Sequence, residues 1–297
     1  MDRLDIYIPT DRRHALAHGE TLPDRMIGTA LFADVSGFTP LTEALARELG
    51  PQRGAEELTR YLNQVFDVLI AEVDRYGGSV IGFSGDAITC WFDGDSGLRA
   101  TSCSLSIQRV MEQFRGIHLP SGNTVTLAVK CAVAGGPVRR FIVGDPAIQT
   151  IDVLAGATLD QLAATEHHAH KGEVVLSPES AAALSKEATF AEWRTDGEAS
   201  KRFGVVSKLA KYADATPWPD LPRNALSEAQ VRSWLLPPVY ERVLSGQTSF
   251  LAELLEESES ALRALDLAAQ VTVHVAKQYL QLGIHLLVVV DPVLGRL

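Results

Sequence analysis

Cysteine and methionine are scarce in this 297-residue chain, at three each. No C-x-x-C pair occurs, which excludes a disulfide-stapled scaffold, and Cys90, Cys103 and Cys131 read as reduced, half-buried residues. Basic residues are also few: 27 Lys plus Arg against 37 Asp plus Glu leave a formal net charge of −10. A chain this acidic lacks the diffuse positive field of general nucleic-acid binding, so no nucleic-acid partner is expected. Long apolar runs are missing too. No stretch approaches the roughly 18–20 apolar residues of a membrane span, and the most apolar window, Leu286–Val290, is stopped by Asp291-Pro292. The opening Met1–Ile8 carries acids and no apolar h-region, which does not suit a signal peptide. These absences lead to the expectation of a soluble, cytoplasmic protein.

What remains is ordinary globular material, 46% hydrophobic and 22% charged. It suffices for a sizeable core in one to two domains and excludes disordered and collagen-like chains. Residues 1–25 read as a polar, irregular N-terminal arm broken by Pro9 and Pro23. Gly28–Asp34 has the pattern of a short strand buried on both faces. Ser36-Gly37 end it, and Thr39-Pro40 looks like a helix N-cap with proline at the first helical position. From Ala55 to Tyr76 the apolar residues Leu58, Leu62, Val65, Phe66, Leu69 and Val73 recur in steps of mostly 3 and 4, predicting a long amphipathic helix.

Gly77-Gly78 end that helix. Ser79–Phe83 and Ala87–Phe92 then predict a hairpin around Ser84-Gly85-Asp86. A helix from about Ser96 to Phe114 follows. Val125–Val133 and Val138–Val143 read as two strands separated by Gly135-Gly136-Pro137. A helix over Thr158–His168 leads to the strand Glu173–Leu176. Direct hairpins inside an alternating pattern predict an α/β (α+β) sandwich with helices on one face, rather than a doubly wound sheet. After residue 213 the composition changes. Pro217, Pro219, Pro222, Pro237 and Pro238 with Trp218 and Trp234 suggest a packed linker, and residues 250–282 turn helical and charged.

Two carboxylates stand out by position. Asp34 ends the first predicted strand, just before a glycine-containing turn and a helix start, and Asp86 occupies the hairpin tip. Strand-end loops are where α/β sheets usually hold ligands. A hard divalent cation takes one or two carboxylates plus phosphate oxygens, and two such ions brace the attacking and leaving oxygens of a phosphoryl displacement. Between the carboxylates, Val35-Ser36-Gly37-Phe38-Thr39 runs into a helix N-terminus, whose free N–H groups suit a polyphosphate. Either aspartate alone is equally at home in a plain turn.

The wider pattern is more specific. Phe32-Ala33-Asp34-Val35-Ser36-Gly37-Phe38-Thr39, Arg53-Gly54-Ala55-Glu56, Gly77-Gly78 and Phe83-Ser84-Gly85-Asp86-Ala87 together resemble the class III nucleotide cyclase domain. The resemblance is strongest to the first, metal-bearing domain of the paired domains in bicarbonate-responsive soluble adenylyl cyclases. It covers roughly residues 26–210. It implies a βαββαβ ferredoxin-like or palm-like core, here over 26–213, with a C-terminal helical linker over 214–297. It further implies two Mg²⁺ or Mn²⁺ ions on Asp34 and Asp86, with the Val35 carbonyl as an extra metal ligand. Ser36, Gly37, Phe38, Thr39 and Gly85 would lie on a nucleoside triphosphate, ATP or GTP. A complementary cyclase domain would complete the site.

The sequence also departs from the family. Self-sufficient homodimeric members carry a base-reading lysine four residues before the second aspartate, where this chain has Gly82. Their transition-state Asn and Arg fall on Asp160 and Ala164, and the triphosphate-binding arginine of the fourth strand falls on Ala128. The first three absences fit a half whose partner supplies those groups; the last does not. No second block of this kind follows Phe250–Leu254, so a fragment, a truncated product or one half of a two-chain enzyme is expected.

Other candidates are weaker. Asp34–Gly37 also fits a GTPase D-x-x-G, but no P-loop sequence exists. His167, His168 and His170 read as a solvated helix end rather than a metal site, Arg139-Arg140 as an exposed strand end, and Trp218 and Trp234 as pins for the proline-rich arm. Two functions stay open. One is a catalytic half making a 3′,5′-cyclic monophosphate and pyrophosphate in intracellular signalling. The other is a degenerate module of the same fold, kept for dimerisation or regulation.

Overall fold

The computed structural model describes residues 4–197 and 201–244. The stretches at 250–282 and Leu286–Val290 singled out above lie outside the described residues.

The chain enters through a 3₁₀ turn, Leu4–Tyr7, and helix α1, Thr10–Ala17. Strand β1, Arg25–Ser36, leads to helices α2, Phe38–Leu49, and α3, Pro51–Arg75. The hairpin β2, Ser79–Ser84, and β3, Ala87–Asp93, precedes helix α4, Leu98–Met111. A small ribbon follows, β4 Ile117–His118 with β5 Thr124–Val125. Then come β6, Ala128–Asp145, β7, Gln149–Ala155, and helix α5, Ala157–His167. Strand β8, Val174–Leu176, helix α6, Pro178–Ala183, and the hairpin β9, Ala188–Thr195, with β10, Arg202–Leu209, complete the sheet region. Two short helices, α7, Glu228–Arg232, and α8, Pro237–Leu244, follow.

The main sheet runs β2-β3-β1-β6-β8-β10-β9, with β7 added to the far half of β6. β1 is antiparallel to both of its neighbours, whereas β6 and β8 are parallel. The core explains this order. Leu31, Ala33 and Val35 of β1, with Ile88, Cys90 and Phe92 of β3 and Val129, Cys131 and Val133 of β6, bury one face beneath α2, α3 and α4. Successive side chains of a strand alternate between faces. Ala30, Ala132 and Ala134 therefore face the other way, where Leu159 and Leu162 of α5 pack on them with Trp91. Helices thus cover both faces. The single-layer expectation holds for α2–α4, but α5 sits opposite, on a sheet face made flat by alanine.

Three further sequence expectations are corrected. Gly135-Gly136-Pro137 does not interrupt a strand: β6 continues through it, paired with Thr29, Gly28 and Ile27 of β1. Gly28 sits under Trp91, and a side chain at Gly136 would strike Thr158 Oγ1, so these small residues serve close packing rather than a turn. The helix after β1, α2, starts at Phe38 with Gly37 as its N-cap, so Thr39 lies inside the helix and caps nothing. The three cysteines are fully buried. Burial pushes the Cys131 thiol up to about 12.

The arm at 1–25 is not irregular, and Arg140 is not exposed. Helix α1 docks through a buried charge network: Arg140 is 1% exposed and binds both Asp11 and Asp152. Arg140 Nε is 3.0 Å from Asp152 Oδ1, and Arg12 Nε reaches Asp152 Oδ2 at 3.0 Å. Burial alone would lower the Arg140 pKa, but its bonds to Asp11 and Asp152 outweigh that and raise it. A polar helix with little amphipathic signal is thereby tied to the β6–β7 hairpin, which periodicity does not reveal. Trp218 joins the same corner, stacking on His14 and donating from Nε1 to the Gly78 carbonyl at 2.8 Å.

Removing one member of a buried charge network leaves uncompensated charge. Arg140→Ala should therefore cost about 3–5 kcal/mol in urea unfolding. Arg139→Ala removes only a pair with Asp24 that is half open to solvent, and should cost about 1 kcal/mol or less. Equal small losses at both positions would refute the network's role.

Candidate functional site

The site begins with strand register. Asp34, on central strand β1, lies opposite Ala87 of β3 on one side and Lys130 of β6 on the other. Asp86 immediately precedes Ala87, and its carbonyl accepts a hydrogen bond from the Val35 N–H at 3.1 Å. The two aspartates, 52 positions apart in sequence, are thus brought to neighbouring strand ends. A strand residue presents its N–H and C=O to the same side, so the Val35 carbonyl also faces the hairpin.

The hairpin turn is tight. Ser84 pairs with Ala87, leaving Gly85-Asp86 as a two-residue loop. Gly85 has φ +61° and, among the described residues, no non-glycine residue has positive φ, which is the pattern of a type II′ turn with glycine first. The turn holds the Asp86 side chain exposed at the sheet's rim.

The loop after β1 is equally constrained. Ser36 Oγ donates to the Ala128 carbonyl at 3.2 Å. Gly37 has φ +105°, and a Cβ there would lie 2.5 Å from the Thr126 carbonyl oxygen. Only glycine fits, and it turns the chain so that α2 starts at once, its first N–H groups unpaired by any side-chain cap. Phe38 enters the core, at 8% exposure, so its side chain does not face the loop. Thr39 is exposed.

The cation beside Asp34 is Lys130. Its Nζ lies 3.1 Å from Asp34 Oδ2 and also binds Glu166 of α5. Burial pulls the Lys130 pKa down, but hydrogen bonds to Glu166 and Asp34 outweigh it, and the ammonium is held more firmly than a free lysine. Lys130 lies two residues beyond Ala128, on the same face of β6. Neither Lys130 nor Glu166 was marked by motif or spacing; the strand register and the α5 face bring them together.

The positions expected to face a partner lie on β2 and α5. Gly82 sits in β2 beside a register irregularity, with open space where a side chain would be. Asp160 is exposed in the first turn of α5, and Ala164 packs against Ala169, Val175, Phe203 and Val205. The histidines diverge: His168 stacks on Phe203 and binds Asp196 at 2.6 Å, while the His167 side chain is open to solvent. Among the described residues, no group of three or more His, Cys, Asp or Glu is arranged to hold a metal. Asp34 and Asp86 are two carboxylates at an open rim. That donor set suits Mg²⁺ or Mn²⁺ only when phosphate oxygens complete the shell.

No family model matches the chain. It is 27% identical over 188 residues to adenylate cyclase type 10 of Rattus norvegicus, a match spanning 60% of this chain and 11% of that protein. The Homo sapiens adenylate cyclase type 10 is 27% identical over 174 residues, 55% of this chain and 10% of that one. The chain therefore matches about a tenth of these relatives' length. Among solved structures, the adenylyl cyclase CyaB of P. aeruginosa superimposes with a TM-score of 0.51 at 21% identity, covering 62% of this chain and 95% of that one. The guanylyl cyclase Cya2 gives 0.51 at 21% identity, covering 66% and 98%. A bacterial light-regulated adenylyl cyclase gives 0.55 at 20% identity, covering 71% and 61%. The fold is that of class III nucleotide cyclase domains. Among the described residues, no helix is long and apolar enough to cross a membrane.

The two turn glycines differ in surroundings, and that difference is measurable. Alanine held in such a sparsely populated backbone conformation costs roughly 1–3 kcal/mol, which is the whole expected loss for Gly85→Ala in its open turn. Gly37→Ala adds a clash with the Thr126 carbonyl and should lower thermal stability further. Equal melting temperatures for the two variants would contradict this geometry.

Proposed function

We propose that this chain is the metal-bearing half of a nucleotide cyclase, converting ATP or GTP to the 3′,5′-cyclic monophosphate and pyrophosphate when a complementary cyclase domain docks against it. The observation carrying this reading is the convergence of Asp34 and Asp86 at adjacent strand ends, with Lys130 beside them. Sequence similarity to adenylate cyclases supports the same reading.

Asp34 and Asp86, with the Val35 carbonyl, would hold two Mg²⁺ or Mn²⁺ ions. When bound, such ions supply Lewis-acid activation of the ribose 3′-hydroxyl and neutralise charge on the departing pyrophosphate. The protein's own share is position and charge. Backbone N–H groups at the start of α2, in the segment Ser36–Thr39, would receive phosphate oxygens. Lys130 would supply the positive charge that the resemblance places at the fourth strand, two residues beyond Ala128. Gly85 keeps the hairpin rim low, leaving room for the nucleotide over Asp86.

Base recognition and stabilisation of charge at the α-phosphorus would come from the partner. Gly82 has no side chain to bond a base edge, and Ala164 is turned into a hydrophobic cluster. A symmetric homodimer would bring the same deficient face to both sites. These absences also favour the second reading, a degenerate module of the same fold serving dimerisation or regulation without catalysis.

Mn²⁺ with a non-hydrolysable nucleotide should raise the melting temperature by linkage. Asp34→Asn and Asp86→Asn should each abolish that rise while leaving the ligand-free protein folded. An undiminished rise in the double variant would overturn the site. The chain alone with Mn²⁺ and ATP or GTP should yield little cyclic product. Losing one preorganised donor costs about 10²–10³ in rate, and more than one is missing here. A complementary domain should restore cyclic nucleotide and pyrophosphate formation; no product in that mixture, despite ligand binding, would favour the regulatory module.

A further inference from the structure

We propose that Glu166 is a positioning residue for Lys130, retaining the ammonium at the site when a divalent cation takes Asp34. This rests on the cyclase reading above and adds to it a residue on α5.

One ammonium is shared by two carboxylates. Asp34 holds Lys130 from β1, at 3.1 Å, and Glu166 holds it from the last turn of α5. All three side chains are 22–25% exposed, open enough to be reached by an incoming ligand. The backbones on both sides are fixed. Lys130 is locked in register with Asp34, and α5 is seated by buried Leu162 and Thr165 and by Thr158 Oγ1 donating to the Pro137 carbonyl at 2.7 Å. The flexible part is the lysine stem.

A divalent cation on Asp34 repels the neighbouring ammonium and removes one of its partners. With Glu166 present, Lys130 keeps a second partner and stays beside the rim, where the phosphates would lie. Without Glu166, two outcomes compete and both weaken binding. Either the ammonium stays on Asp34 and opposes the cation, or it leaves for solvent and its alignment is lost.

The dependence of the effect on Lys130 separates this role from plain electrostatics. Toward the nucleotide's phosphates alone, removing the negative charge of Glu166 should tighten binding, and its effect through the divalent cation is the same whether or not Lys130 is present. As a positioning residue, its removal should weaken binding. Supporting groups one step behind a metal site typically contribute 10–100-fold in affinity.

The test is a double-mutant cycle read by calorimetry on the full chain, using Mn²⁺ with a non-hydrolysable ATP analogue. Glu166→Gln keeps the side chain's shape at a partly exposed position, and the ligand-free melting temperature reports its folding. The expected result is about 10-fold weaker binding for Glu166→Gln, with no such loss when Glu166→Gln is added to Lys130→Ala. Unchanged or tighter binding would overturn the proposal. So would an equal loss in both backgrounds, since Glu166 would then act without Lys130. If the wild type binds and Asp34→Asn does not, either of those results overturns the role of Glu166 alone. Absence of binding by the wild type overturns the cyclase reading and this role together.

Discussion

A carboxylate on a central strand is surrounded by whatever its two neighbours present, and for Asp34 the register of β1 decides what that is. On one side it meets Ala87, which brings the Gly85-Asp86 turn with it; on the other it meets Lys130. Because one face of β1 is buried under α2–α4, a slip of one residue would turn Asp34 into the core and Ala33 outward. The hydrophobic pattern that folds the sheet is therefore the same constraint that assembles the site. No separate scaffold for the aspartates is needed.

The two faces of the sheet divide the labour. The face under α2, α3 and α4 carries the larger core, with leucine, valine and phenylalanine in quantity. The opposite face is built on alanines, which lets α5 approach closely and carry Glu166 to the lysine on β6. Asp34 and Lys130 lie on this second face. The charge cluster thus joins three elements, β1, β6 and α5. At the other end of β6, Arg140 with Asp11 and Asp152 ties the N-terminal helix to the β6–β7 hairpin. One long strand links a half-exposed charge cluster at its start to a buried one further along.

Much of this was legible in the sequence because it rests on periodicity and turn chemistry. The amphipathic spacing from Leu58 to Val73 marks α3, and the glycine-centred hairpin tip at Asp86 appears where the pattern placed it. Asp34 and Asp86 were visible as strand-end carboxylates before any register was known. What periodicity missed follows from long-range contacts. Gly135-Gly136-Pro137 has turn composition, yet pairing with β1 and packing against α5 carry the strand straight through it. Helix α1 is polar, and its ion pairs with residues more than a hundred positions away tie it to the β6–β7 hairpin. Lys130 was overlooked for a simpler reason: no motif marks it, and only the strand register sets it beside Asp34.

The most direct test of the proposed metal site is a crystal structure of the chain with Mn²⁺ and a non-hydrolysable nucleoside triphosphate, using anomalous scattering to locate manganese. The predicted result is an anomalous peak within coordination distance of both Asp34 and Asp86, with phosphate density over Ser36–Thr39 and the Lys130 ammonium moved off Asp34 toward that density. Manganese bound elsewhere, or nucleotide density distant from both aspartates, would contradict it.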